Sequence, residues 1–273
     1  MSELAAAFPA IDPVAFWIGP IPVKWYGLAY LAGLLLGWMY IKRLLAAPRL
    51  WPGGLPPFPP ARTDDLLMVM TFGVVIGGRL GFVLLYEPHD YLSHPLQILL
   101  IWRGGMAFHG ALLGCGLAAW LFAKVAATSV RSTLDLCAAA VPIGLFFGRL
   151  ANFVNAELWG RTTQVPWAMV FPGAGHELRH PSQLYEAVLE GLVLFVVLRV
   201  TTHRYNALQT PGRTTGLFLI GYGLARTFCE TFREPYPGHI FNVGPLTAGM
   251  AYSIPMIVLG LSFLRMAGPR TAP

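Results

Sequence analysis

The segment Leu66–Tyr86, LLMVMTFGVVIGGRLGFVLLY, indicates the class of protein to which the chain belongs. It is almost wholly apolar and contains one charged residue, Arg79. A bilayer core about 30 Å thick is crossed by a helix of about 20 apolar residues, because a helix satisfies its backbone polar groups internally. The segment is therefore long and apolar enough to form a membrane-spanning helix.

Similar apolar blocks recur along the whole chain. Of the 273 residues, 55% are apolar and 12% are charged, whereas soluble domains contain about 25% charged residues. A soluble globular fold is therefore excluded, and the blocks are too long and too evenly apolar for barrel strands. We predict an all-α integral membrane protein, one polytopic domain with seven transmembrane helices at about 25–44, 65–86, 106–125, 133–153, 183–201, 214–231 and 243–266.

The distribution of charge predicts how these helices are oriented. If the spans alternate, most of the 19 lysines and arginines fall on one side of the membrane, which the positive-inside rule makes cytoplasmic. The N-terminus then lies outside and the C-terminus lies in the cytoplasm. The net charge of +6 reflects this bias, so no nucleic-acid partner is predicted. Glu3 and Asp12 precede the first lysine, so we expect no cleaved signal peptide.

Two loops and three glycine pairs complete the expected organisation. Residues 48–60 include six prolines and predict an extended linker without a core. Residues 154–182, between spans four and five, are rich in glycine, proline and aromatic residues and predict an outward-facing cap. Close helix contacts are predicted at the GxxxG pairs Gly33/Gly37, Gly73/Gly77 and Gly110/Gly114.

Ionisable and polar residues of the spans gather near their outer ends. A charge at bilayer depth costs at least about 2.5 kcal/mol and often marks function. In this topology the outer group consists of Tyr26, Arg79, His109, Arg149, Asn152, Glu157, Arg226 and Glu230. Tyr222, Arg226 and Glu230 share one helix face because they are four residues apart.

Two interpretations of these arginines remain open. In the first, the arginines form structural ion pairs, Arg226 with Glu230 and Arg149 with Glu157. In the second, the arginines bind an anionic headgroup, for which the planar guanidinium is well suited. Arg79 is likewise a headgroup contact or a packing residue paired with Glu87.

Other polar residues near the spans also have two interpretations. His109 is a general base or an interfacial hydrogen-bonding residue, and Tyr26 is a proton acceptor or an interfacial anchor. Glu186 is expected to order the cap, and Glu190 to be a polar residue on a packing face.

Three functions suit such a protein. It is an enzyme acting on an anionic lipid, a transporter of such a lipid, or an intramembrane hydrolase with Cys229 as nucleophile. No serine-hydrolase or metalloprotease motif occurs, so a substrate could supply the nucleophile. The three cysteines lack metal-ligand spacing, and no metal or organic cofactor is predicted.

Several motifs together resemble one known family. GRLANFVNAELWG at residues 148–160 is accompanied by WYG at 25–27, WRGGMAFHG at 102–110, HPSQLYE at 180–186 and the segment from Tyr222 to Pro235. These motifs resemble those of bacterial prolipoprotein diacylglyceryl transferases, in the same order and over nearly the whole chain.

The resemblance implies a reaction, a location and a set of site residues. It implies transfer of the sn-1,2-diacylglyceryl group from phosphatidylglycerol to the lipobox cysteine thiol of a prolipoprotein signal peptide, with release of glycerol phosphate. It also implies the bacterial inner membrane, with the active site and the cap on the periplasmic side. The implied catalytic residues are His109, Arg149, Arg226 and Tyr26. The implied substrate-binding residues are Arg149, Asn152, Glu157, Gly160, Tyr222, Arg226 and Glu230.

Overall fold

A computed structural model describes residues 6–9, 11–85, 91, 93–100, 105–235 and 246–268, with the backbone alone at residues 6, 7, 85, 108 and 109. Most of these residues are helical. The long helices are α1 (Trp25–Leu45), α2 (Thr63–Leu85), α3 (Phe108–Val125), α4 (Val130–Val154), α6 (Arg213–Glu230) and α7 (Ala248–Met266). Helix α5 consists of Ser182–Glu186, a π-helical segment Ala187–Val193, and Leu194–Arg204.

These helices occur at the positions predicted for the spans. In the described part of the chain, α1, α2, α4 and α7 are long and apolar enough to cross a membrane, and α3 is a shorter apolar helix. Helices α5 and α6 are less hydrophobic because they carry buried charged residues such as Glu190 and Glu230. The chain is therefore a mostly helical membrane protein. Seven spans and their orientation remain a prediction.

The chain divides into two compact units, of which one comprises residues 41–136. Within it, α2 and α3 pack directly against each other through glycines. A Cβ atom at Gly73 would lie 2.6 Å from Gly114 O, and one at Gly77 would collide with Gly110 O. The predicted close contact between these two GxxxG helices is confirmed, since only glycine permits this separation.

The proline-rich loop lies in the same unit, and its prediction as a linker without a core is wrong. It forms short 3₁₀ turns at Pro48–Leu50, Pro52–Gly54 and Pro60–Arg62. Leu50, Trp51 and Phe58 are buried. The Trp51 Nε1–H group donates to Leu44 O at 2.9 Å, and the rings of Phe58 and Phe122 pack edge to face. The prolines stiffen the loop, while the apolar residues between them attach it to the helices.

The other unit comprises residues 1–40 and 137–273. Small residues again bring helices together: a Cβ at Gly191 of α5 would lie 2.7 Å from Phe146 Cβ of α4, and one at Gly216 of α6 would lie 2.9 Å from Gly260 O of α7. Leu194, Leu198 and Tyr222 form a buried apolar cluster. These contacts bring α4, α5 and α6 together within this unit.

Short strands accompany the helices of this unit. Strands β2 (Val14–Ile18) and β3 (Ile21–Lys24) form an antiparallel hairpin just before α1, and β1 (Ala6–Ala7) pairs in parallel with β4 (Met169–Val170). The sequence patterns did not predict these strands. Strand β4 lies within residues 154–182, which are held against the start of α5 and the end of α6 by the contacts described below.

Candidate functional site

Three arginines surround one buried carboxylate where α4, α5 and α6 meet. Glu186 of α5 lies 2.9 Å from Arg149 Nε of α4 and 3.1 Å from Arg226 Nη1 of α6. Arg233, just beyond α6, places its Nη1 atom 3.1 Å from the same carboxylate. Glu186 is completely buried, so these guanidinium groups replace the water that an ionised carboxylate requires.

Two further glutamates complete this group of charges. Glu190, also completely buried, lies 3.0 Å from Arg149 Nη2 and 3.5 Å from Arg226 Nη1. Glu230 pairs with Arg226 Nη2 and accepts a hydrogen bond from the Thr247 hydroxyl at 2.6 Å. Arg149, Arg226, Arg233, Glu186, Glu190 and Glu230 are called the arginine–glutamate cluster below.

Helical spacing and small residues explain how the cluster assembles. Glu186 and Glu190 are four residues apart, as are Arg226 and Glu230, so each pair projects from one face of its helix. The π-helical segment of α5 begins between the two glutamates, and such segments are frequent at functional sites. Gly191 lets α5 approach α4 closely enough for Glu190 to reach Arg149.

The arginine side chains are the less buried members of the cluster when compared with Glu186 and Glu190. The side chains of Arg149, Arg226 and Arg233 are 15%, 14% and 17% exposed, whereas those of Glu186 and Glu190 are 0% exposed. An incoming ligand would therefore meet cationic groups first and carboxylates behind them. Such an arrangement can bind an anion with fixed, preoriented donors.

A short turn after α4 brings Asn152 and Glu157 together beside this cluster. The Asn152 amide donates to Glu157 Oε1 at 2.6 Å, and the Gln183 amide donates to Glu157 O at 2.7 Å. Ala156 and Leu158 on either side have φ values of 52° and 59°. Non-glycine residues rarely adopt this left-handed conformation, which is typical of strained segments at functional sites.

Gly160 lies where residues 154–182 meet the end of α6. Its backbone N–H donates to His180 O at 2.9 Å, and a Cβ atom would lie 2.6 Å from both His180 O and Phe232 O. Only glycine permits this crossing of three backbone segments. The residue therefore holds the loop close to Arg233, which forms a backbone bridge with Gly160.

An apolar cavity of about 430 Å³ adjoins the start of α5 and the end of α6. Its aromatic lining residues are Trp167, His180, Tyr185, Phe228 and Phe232. The Trp167 indole donates to the Tyr185 hydroxyl at 2.6 Å, and that hydroxyl lies 3.1 Å from His180 Nδ1. Burial lowers the pKa of His180 below its usual value, so the neutral imidazole is favoured.

Comparison with known proteins agrees with this arrangement of motifs. The sequence model of the family described as prolipoprotein diacylglyceryl transferase matches residues 13–266. The chain belongs to the prolipoprotein diacylglyceryl transferase family.

Relatives within the family are similar over almost their entire length. A phosphatidylglycerol–prolipoprotein diacylglyceryl transferase from Beijerinckia indica subsp. indica is 53% identical over 271 residues, covering 98% of each chain. Proteins of the same name from Methylocella silvestris and Rhizobium meliloti are 51% and 52% identical, covering 97% and 93% of this chain and 97% and 91% of their own. The resemblance inferred from the motifs is therefore confirmed.

Of the two ion pairs that the structural interpretation of these arginines offered, one is present and one is not. The Arg226–Glu230 pair is confirmed. The Arg149–Glu157 pair is wrong, because Arg149 binds Glu186 and Glu190 instead. Sequence reasoning left both α5 glutamates and Arg233 out of the site. The available signal was the four-residue spacing of two glutamates in an apolar segment with no lysine or arginine within one helical turn of either.

The remaining predicted site residues lie in different surroundings. The Tyr26 hydroxyl is 3.1 Å from the Tyr30 hydroxyl, within electrostatic range of Arg149 and Glu157. Tyr222 is buried one turn before Arg226, and its ring stacks on Phe218.

His109 and Arg79 belong to the other unit. His109 is in the first turn of α3, with only its backbone described, so its catalytic role remains a prediction. The Arg79 guanidinium donates to Gln97 O at 2.6 Å and to Ile98 O at 2.8 Å. These bonds attach a loop to α2. The alternative partner Glu87 lies outside the described residues.

Proposed function

We propose that this family member transfers the sn-1,2-diacylglyceryl group of phosphatidylglycerol to the lipobox cysteine of a prolipoprotein. A sulfur–carbon bond to the glycerol moiety forms, the carbon–oxygen bond to phosphate breaks, and glycerol phosphate leaves. The thiol proton is lost, so a thioether is the lipidated product. Family membership and the names of relatives that are about half identical over their full length support this reaction.

The greater exposure of the Arg149 and Arg226 side chains compared with Glu186 and Glu190 is the observation that best supports a site for the reaction. Negative charge grows on the phosphate as the carbon–oxygen bond breaks, so fixed cations stabilise the transition state more than the ground state. Arg149 and Arg226 bind this phosphate in our proposal. The buried carboxylates behind them hold each guanidinium in a single orientation, which avoids reorganisation during the reaction.

Neighbouring residues supply the shape of the site and the proton transfer. In our proposal Asn152 and Glu157, which are hydrogen-bonded to each other just beyond Arg149, help to shape the site, as does Gly160, which holds the loop beside Arg233. Tyr222 lies one turn before Arg226 and supports it. Either His109 or Tyr26 assists the loss of the thiol proton in our proposal. We further propose that the site faces the periplasm from the bacterial inner membrane, since the positive-inside distribution places these helix ends outside.

A reconstituted assay tests this function. Purified protein in vesicles of phosphatidylglycerol is incubated with a lipobox peptide, and mass spectrometry detects the thioether adduct together with glycerol phosphate. We expect the adduct with the cysteine peptide and none with a peptide that has serine at that position. We also expect Arg149→Ala to abolish transfer while the protein remains folded.

The two products separate this proposal from the transport alternative. Binding of phosphatidylglycerol without any adduct would overturn the transferase assignment and favour lipid transport. Release of glycerol phosphate without the peptide adduct would indicate hydrolysis instead.

A further inference from the structure

The charges of the arginine–glutamate cluster present a problem for anion binding. Three guanidinium groups face three carboxylates, so the cluster is formally neutral if every group is ionised. Glu157, bonded to Asn152, adds a fourth acid nearby. A cluster without net charge attracts the phosphodiester of a phospholipid less strongly than a cluster with a net positive charge.

Glu190 differs from the other two carboxylates in its hydrogen bonding. Its Oε2 atom accepts from Arg149, whereas Oε1 is buried and receives no hydrogen bond from any described residue. The nearest cation to Oε1 is Arg226 Nη1 at 3.5 Å. A buried anionic oxygen without a donor is costly, and protonation of the carboxyl group removes the negative charge that makes it most costly.

The groups that face Glu190 reinforce this difference. Arg149 approaches from α4, Glu186 lies one turn away on α5, and Arg226 approaches from α6. Tyr222 and Cys229 of α6 are also within electrostatic range. Glu186 attracts all three arginines, so it is the better-neutralised member of the pair. Two close carboxylates that share cations favour keeping one of them protonated.

We propose that Glu190 carries a proton in the resting protein, which gives the arginine–glutamate cluster one net positive charge with which to bind the lipid phosphate. This proposal rests on the proposed function, because it assumes that the ligand of the cluster is a phospholipid phosphate. Glu190 acts as a positioning residue that sets the net charge of the cluster around Arg149 and Arg226. It does not touch the lipid in this assignment.

The pH dependence of lipid binding tests the proposal. Phosphatidylglycerol binding is measured without peptide, so that the substrate thiol does not titrate, and the phosphodiester keeps one negative charge throughout. We expect the wild-type Kd to rise about tenfold per pH unit once Glu190 ionises, because binding is then linked to uptake of one proton. We call this increase of Kd at high pH the alkaline rise. In Glu190→Gln the alkaline rise should disappear, so that this variant binds more tightly than the wild type at high pH.

Two controls make the measurement specific. Glu177→Gln changes an exposed acid that pairs with Arg179 in the loop before α5, and it should keep the alkaline rise. Diacylglycerol, which has no phosphate, should bind with no dependence on pH. An alkaline rise that persists in Glu190→Gln, or a wild-type Kd that does not change with pH, overturns the proposal.

A second readout can be made on the wild type, so its decisive result does not depend on the stability of Glu190→Gln. Infrared spectroscopy of the wild type at neutral pH should show the carbonyl stretch of a buried carboxylic acid, retained in Glu177→Gln and lost in Glu190→Gln. Absence of this band in the wild type refutes the protonated state. If the band and the alkaline rise are present but no thioether adduct forms, the transferase assignment fails and the protonated Glu190 stands.

Discussion

Replacement of Arg226 by lysine is the sharpest test of how the cluster works. Arg226 Nη1 contacts Glu186 at 3.1 Å and Glu190 at 3.5 Å, while Nη2 pairs with Glu230. Lysine keeps the charge, but its single ammonium nitrogen cannot occupy both positions of the guanidinium fork. At least one buried carboxylate therefore loses its hydrogen bond, and the donor directed at the phosphate is displaced.

The expected effect is larger on catalysis than on folding. Loss of a hydrogen bond to a charged group costs about 1.5–3 kcal/mol of stability. Loss of one preoriented donor to a developing anion costs about 2.7–4 kcal/mol in the transition state. Arg226→Lys should therefore lower kcat/KM for diacylglyceryl transfer by about 10²- to 10³-fold, and the protein should still insert into the membrane.

The assay compares initial rates of adduct formation in vesicles of phosphatidylglycerol. Arg213→Lys is the matched control, because Arg213 begins the same helix, is exposed and makes no ion pair with a described residue. We expect its rate to remain within about twofold of the wild type, as is usual for an exposed substitution. An Arg226→Lys rate within the same range would show that charge alone is sufficient and would refute the bidentate role.

Three further predictions concern the surroundings of the cluster. Gly160→Ala places a methyl group 2.6 Å from Phe232 O, so overpacking should cost about 1–3 kcal/mol and reduce both Tm and transfer; unchanged values would contradict this contact. Cys229→Ala removes a buried thiol and should leave transfer close to the wild-type rate, because the substrate supplies the nucleophilic thiol in our proposal, whereas a cysteine hydrolase would become inactive. Because burial lowers the pKa of His180, the unfolded chain binds a proton more readily, so Tm should fall as the pH drops below about 6.5. His180→Gln should reduce that fall, and an identical pH profile for Tm would exclude the histidine as its source.

Local patterns accounted for much of the fold. Helices occur at the predicted positions because uninterrupted apolar blocks leave the backbone no other partner in a bilayer. The contact between α2 and α3 followed from Gly73, Gly77, Gly110 and Gly114, because a missing side chain has the same consequence in any surroundings. The Arg226–Glu230 pair followed from helical spacing, because residues four apart lie on the same face of any helix.

Contacts between distant segments could not be predicted in this way. The loop at residues 48–60 has the composition of a linker, yet Leu50, Trp51 and Phe58 pack into a core formed by residues outside it. Arg149 was paired with the acid nearest in sequence, Glu157, whereas the structure pairs it with Glu186 and Glu190. Local spacing contains no information about which helix lies opposite.

The sequence by itself determined that this is a helical membrane protein of the prolipoprotein diacylglyceryl transferase family, with arginines gathered near one end of its helices. These properties depend on composition, helical period and motifs, each of which is a property of neighbouring residues. Only the tertiary structure decided which carboxylates neutralise which arginines and that Glu186 and Glu190 are more deeply buried than the arginines. Burial makes every unpaired charge costly, so the partner of Arg149 is chosen by the packing of α4 against α5 and not by distance along the chain.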